Sequence, residues 1–314
     1  MKKILFPFFV FITSFIQAQQ LSQSSLYSIN ELALNPAVAG SESYIPLLIS
    51  NRIQWANFKN APTTQTFAGH GGINNHGIGL NVTNFSTAPT GIITAQIAYS
   101  YRVKINEKTK LSFGIAPMFI QYGIAKEKIK LDESNDLTFN RVNPRTNIGD
   151  LNSGFLVKGK RFSVGVSGSQ LLASRFRKGD AIVKERLRRQ FCLTAYYDFS
   201  LTDKIKLSPM LIAKGIDAGI PYQADVNARL SFQDFFWLGM GYRASLSDQP
   251  GEAALLSLGV QKSGFVFAYA FDYSFSSIMP FSYGSHELLL SYRLNNKKSD
   301  GKTKSVVPSQ SMSE

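Results

Sequence analysis

Few side chains in this chain could do chemistry, and their spacing excludes most of what they could do. His70 and His76 lie in "GHGGINNHG". Two imidazoles near a turn could hold a metal, but no neighbouring carboxylate or thiol completes the set. Ser285, His286 and Glu287 supply the residue types of a hydrolase. As neighbours on an extended strand they point to alternate faces and cannot converge. There is no Gly-x-Ser-x-Gly elbow. "GHGG" and "GIGLNV" open no helix, so neither cradles a phosphate. "DESNDLTFN" is acidic without the ligand spacing of an EF-hand. Cys192 is the only cysteine, which excludes an intramolecular disulfide and a two-thiol metal site. Neither catalysis nor a cofactor is expected. What remains is a scatter of charges: Asp225, Arg229, Arg243, Asp272, Glu287 and Arg293.

The elements that must position those charges are strands. In "YQADVNARLSF", Tyr222, Ala224, Val226, Ala228, Leu230 and Phe232 share one face of an extended chain, and Gln223, Asp225, Asn227, Arg229 and Ser231 share the other. "IITAQIAYSYRVKI", "FCLTAYYDF", "FVFAYAFDYSF" and "HELLLSYRL" alternate in the same way. Taken over all the strands, the wet face is mostly Ser, Gly, Ala, Thr, Asn and Gln, and the charges named above are scattered on it. Helical periodicity is nearly absent. Only "ASRFRKGDAIVKERLRR" could hold a short helix, and it reads better as a polar loop. The pattern predicts about fourteen strands between 44 and 294, joined by tight turns after even strands and often by long connections after odd ones. A soluble sandwich has no reason to sort its loops by parity. The expected fold is all-β: a single transmembrane antiparallel β-barrel of the outer-membrane type, with both chain ends at the tight-turn, periplasmic side.

The flanks fit that location. "MKKILFPFFVFITSFIQA" has two lysines, a short apolar core and a small residue at 18, which reads as a signal peptide over 1–18. Residues 19–43 form an N-terminal segment that could plug the barrel. Residues 295–314 are polar and Ser-rich and are expected to be disordered. The 34 Lys and Arg against 21 Asp and Glu are spread over loops and strand faces, and no nucleic-acid-binding signature accompanies them.

Several stretches carry a resemblance: "LYSINELALNPAVAGS", "NRIQWANFKNAPTTQTFAGHG", "YQADVNARLSFQDFFWLGMGYRAS" and "YGSHELLLSYRL". Together they resemble the PorP/SprF family of the Bacteroidetes type IX secretion system over residues 21–294. Val38, where the family often has Tyr, and Ala56-Asn57, where it commonly has Val-Gly, are mild departures. The resemblance implies an outer-membrane barrel that supports export or surface attachment of secreted proteins, in some relatives gliding adhesins. Its partners would be secretion components or a secreted surface protein, with no small-molecule substrate. The motif residues Asn35, Pro36, Ala39, Gly40, Gln54, Trp55, Ala61, Pro62, Thr64, Gln65 and Thr66 are candidates for partner contact. Asn35-Pro36 also suits a capping turn, and Trp55 also suits an anchor at headgroup level. The rival reading is a small-solute channel. The small, oppositely charged lumen residues favour a narrow or plugged interior instead.

Overall fold

The computed structural model describes residues 23–129, 144–178, 181–217, 220–246, 252–275 and 279–295. The signal-peptide and tail expectations, like the acidic "DESNDLTFN", lie outside them, apart from Asn295, which ends the last strand. Seven strands rise and fall in turn: β1 (Tyr44–Ile53), β2 (Thr63–Ile73), β3 (His76–Thr87), β4 (Thr90–Asn106), β5 (Thr109–Ile124), β6 (Arg145–Lys158) and β7 (Phe162–Ser169). The stretch read as a polar loop or short helix is instead a hairpin, β8 (Arg175–Lys178) and β9 (Ala181–Arg186), which forms a sheet of its own. The wall resumes with β10 (Gln190–Tyr197) and the two-residue β11 (Phe199–Ser200). It continues through β12 (Ile205–Ile216), β13 (Ile220–Phe232), β14 (Phe236–Ser245), β15 (Ala253–Lys262), β16 (Phe265–Ser274) and β17 (Ser285–Asn295).

Every wall strand pairs antiparallel with its neighbours. β7 pairs with β10, β10 with β12, and β1 with β17, so the sheet closes on itself. β10 and β11 together make one wall strand, because both pair with β12 and only Asp198 separates them. The wall therefore has fourteen strands, as the alternation predicts. Closure removes the unpaired edges that a membrane cannot tolerate. The tight turns follow from local chemistry. Gln233 and Asp234 both have positive φ, as do Ser263 and Gly264. That backbone suits the two-residue turn between Lys262 and Phe265 and the three-residue turn between Phe232 and Phe236.

The two faces separate as the sequence indicates. Val226, Ile97, Phe267, Met240 and Leu288 are exposed on the outside, whereas Asp225, Arg243, Asp272, Glu287 and Ser100 are buried inside. Outside, lipid replaces water as the partner of apolar side chains. Inside, polar groups must find each other.

Two outcomes test this arrangement. Phe267→Arg places a charge against lipid and should destabilise the barrel by about 2–4 kcal/mol. Ala268→Ser, facing the lumen, should cost less, and heat-dependent gel mobility after refolding into vesicles reads both. With Cys192 replaced by Ser, a Cys at Lys59 should react with an impermeant maleimide on whole cells, and one at Lys108 should not. Reaction at Lys108 alone would invert the orientation.

Candidate functional site

The lumen is where this chain concentrates its polar chemistry, and the segment before β1 occupies it. From Tyr44 at the tight-turn end the segment runs backward through the interior. Leu26, Tyr27, Leu32, Asn35, Ala37, Val38 and Ala39 are all buried there. Asn35 starts a short 3-10 turn, Pro36–Val38: its side-chain oxygen accepts from Ala37 N–H at 2.9 Å, and Pro36 takes the first position, where no donor is needed. The Asn35 amide also donates to the Phe155 carbonyl at 2.9 Å. Gln96 donates to the Leu32 carbonyl at 3.2 Å, and Ser100 to the Ala39 carbonyl at 2.6 Å. Strand residues thus satisfy carbonyls that a non-regular segment leaves bare.

So close an approach requires a wall without side chains beneath it. A Cβ at Gly77 would overlap the Ala39 carbonyl, and one at Gly114 would overlap the Ala37 amide. Gly72 of "GHGG", which lies against Gly40, Gly77 of "GIG" and Gly114 therefore make the floor on which the Asn-Pro-Ala-Val-Ala-Gly motif lies.

The tip of the segment reaches a charge cluster near the long-loop end. Arg243 faces Asp225 in register across β13 and β14, with Nη2 at 3.0 Å and Nε at 3.1 Å from Oδ2. Arg52 and Glu287 are register partners across β1 and β17, 3.5 Å apart. Asp272 joins the two pairs, at 2.6 Å from Arg52 and 3.3 Å from Arg243. The wall thus holds three carboxylates against two guanidinium groups within contact distance. Lys214 lies in the same chamber without an ion pair among the described residues.

The segment brings the missing donors. Ser24 Oγ–H donates to Glu287 at 2.7 Å, and Ser25 N–H at 2.6 Å. Ser25 Oγ–H donates to Asp272 at 2.7 Å, and Tyr27 O–H to Asp225 at 2.5 Å. Burial pushes the Tyr27 phenol well above its ordinary range, with the Asp225 charge adding to it. Tyr27 therefore stays a donor. Charged hydrogen bonds of this kind are worth about 1.5–3 kcal/mol each, and a buried carboxylate without them is costly.

Nearer the tight-turn end, a cavity of about 390 Å³ is lined by Glu31, Glu42, His70, Arg229 and Arg293. Burial raises the Glu42 carboxyl, but the Lys158 ammonium bonded to it more than offsets this and holds it below its usual value. Burial pushes the Glu31 carboxyl up to about 7, although part of its surface borders the cavity. His70 accepts from Gly40 N–H at 3.1 Å, while His76 lies against Tyr99. The two imidazoles do not converge. Among the described residues no group of three metal-ligand side chains assembles.

Of the six charges singled out in the sequence, Asp225, Arg243, Asp272 and Glu287 form the cluster. Arg229 does not join them and lies over the Trp237 ring at 5.8 Å, and Arg293 lies over the Tyr44 ring at 4.8 Å. Both are too far towards the tight turns to reach it. Arg52, Ser24, Ser25 and Tyr27 were missed. Arg52 was legible, being the one charge on the inward positions of β1.

The motif residues divide. Asn35, Pro36, Ala39 and Gly40 lie inside the barrel. Thr64, Gln65 and Thr66 belong to β2, just beyond the connection that follows β1. Gln54, Trp55, Ala61 and Pro62 form that connection, with Trp55 at φ +54°, Asn57 at +74° and Asn60 at +62°. Non-glycine residues held there signal a loop fixed by its surroundings. Ala56 exchanges backbone hydrogen bonds with the 275–284 connection, to Gly284 at 2.7 Å and from Tyr283 at 2.9 Å.

No curated protein matches this chain. Among solved structures, the toluene transporter TodX of P. putida is 8% identical with a TM-score of 0.50, over 85% of this chain and 94% of that one. A Pseudomonas aeruginosa FadL homologue is 12% identical with a TM-score of 0.49, over 83% and 92%. At such identities the likeness extends to the fold alone. The model of a family described as type IX secretion system membrane protein PorP/SprF matches residues 16–292. With its closed lipid-facing barrel, the protein is one of the outer membrane, and the chain belongs to the PorP/SprF family of type IX secretion system membrane proteins.

Proposed function

We propose that this protein is a non-enzymatic platform of the type IX secretion system, supporting export or surface attachment of secreted proteins through protein–protein contacts. The observation that carries this reading is the filled lumen. Residues 23–43 lie along the interior, and their tip is bonded into the buried charges. On this reading residues 23–43 act as a plug, and a barrel occupied in this way works through its ends. At the long-loop end the two connections 54–62 and 275–284 are clipped together and expose Phe58, Phe281 and Tyr283. Gln54, Trp55, Ala61 and Pro62 would then act by shaping this partner surface. Asn35, Pro36, Ala39 and Gly40 would act by seating the segment.

Deletion of the gene should stop a surface protein from reaching or staying on the cell exterior while uptake of small solutes is little changed. Purified wild-type protein in planar bilayers should show low or rare conductance. Ser24→Ala with Ser25→Ala removes two hydroxyl donors of the segment and keeps the wall charges, so it should raise the frequency of open events. Large steady currents from the wild type, together with normal surface display in the deletion strain, would reject the platform and favour a solute channel.

The anchor has a measurable strength. Tyr27→Phe leaves Asp225 short of a buried donor and should cost about 1–3 kcal/mol. Arg243→Met leaves Asp225 without its ion pair and Asp272 with Arg52 alone, and should cost about 3–5 kcal/mol. Urea-dependent unfolding in vesicles reads both, and an unchanged stability of Tyr27→Phe would mean that the cluster is not coupled to the segment.

A further inference from the structure

The stretch from Ser174 to Arg189 holds seven basic residues against two acidic ones. In the hairpin, Arg175 and Arg186 face each other in register. Like charges directly opposite destabilise a strand pair. Among the described residues, the one carboxylate paired with this group is Asp217, 3.9 Å from Arg188.

The hairpin is fixed to the rim. Leu187 is buried against Met118, Ile120 and Ile148, inside the wall. Its N–H donates to the Ser174 carbonyl at 3.0 Å. Arg186 and Arg188, on either side of Leu187, are exposed, as are Arg175 and Arg189. Immediately below, β7 and β10 present exposed Val164, Val166, Phe191 and Leu193 to the outside, and Leu172 is 61% exposed beside them. The guanidinium groups therefore stand where the apolar band ends. In a membrane that level belongs to the headgroups.

We propose that this rim binds the phosphate of an outer-leaflet lipid, with Arg175, Arg186 and Arg188 taking the phosphate and the face below them taking acyl chains. A guanidinium offers planar paired donors that match phosphate oxygens. The bound anion would relieve the facing arginines. The continuous apolar face favours a lipid over an acidic polypeptide, which would leave that face unused. The site is separate from the lumen and does not depend on the platform reading.

The test uses the full-length protein in neutral detergent, with native mass spectrometry as the readout. The probes are diphosphorylated lipid A, the same lipid with its phosphates removed, inorganic phosphate and a polyglutamate peptide. Wild type should bind the phosphorylated lipid at least about tenfold more tightly than the dephosphorylated form, the scale of one or two charged hydrogen bonds. R175Q/R186Q/R188Q should lose that preference while keeping the heat-dependent gel shift of a folded barrel. Equal binding of both lipids by wild type would overturn the proposal without reference to any variant. So would inorganic phosphate binding as well as the lipid, polyglutamate displacing the lipid at equal concentration, or a folded variant that keeps the preference.

Discussion

A carboxylate inside a closed barrel cannot turn to bulk water, and this constraint organises the molecule. Asp225, Asp272 and Glu287 are almost wholly enclosed. Arg52 and Arg243 neutralise most of their charge, but the geometry leaves oxygens that need further donors. The wall supplies one, from Gln223 to Asp225 at 2.8 Å. Ser24, Ser25 and Tyr27 supply four more. The segment and the wall are therefore halves of one hydrogen-bonded unit. Removing either half strands buried charge, which is why the interior behaves as a core although much of it is polar.

The opposite constraint acts outside. There the wall meets lipid, so its outward residues are apolar and its edges must be paired. The same alternation serves both demands at once, since each strand offers one residue to lipid and the next to the lumen. Small inward residues are then an asset. They leave room for a segment of some twenty residues to lie against the backbone, and at Gly77 and Gly114 even one methyl group would be too much.

The wall was legible because its signal has a period of two and repeats fourteen times. Its faces were legible for the same reason, down to Asp225, Arg243, Asp272 and Glu287 facing inward. What did not show was convergence. Arg229 is as inward as Arg243 and only four residues from Asp225, yet it belongs to another level of the lumen. Strand alternation assigns a face, while the level along the axis depends on register, which turns and closure set. The segment was harder still. Residues 23–43 have almost no regular structure, so no periodicity reveals that Ser24, Ser25 and Tyr27 are donors to groups 198 to 263 residues away. The hairpin at 175–186 was missed because its facing arginines are poor strand formers as a pair.

The location of the cluster ties the segment to closure. Arg52 lies on the first strand and Glu287 on the last, and they are partners at the seam where the barrel closes. Ser25 touches Arg52, Glu287 and Asp272 at once, with its hydroxyl 3.1 Å from Arg52 Nη1. A seam joined only by backbone hydrogen bonds would differ little from any other strand pair. Here the side chains across it are charged, enclosed and incomplete until the segment arrives. The segment enters at the tight-turn end, directly before β1, so it is tethered to the seam it completes. Docking the segment and closing the wall should therefore favour each other: an open seam would let water reach the charges and weaken the need for the serines, and an undocked segment would leave the closed seam with buried, underbonded carboxylates. The coupling follows from the low dielectric of the lumen, and it makes the N-terminal segment part of the barrel's closure as well as its contents.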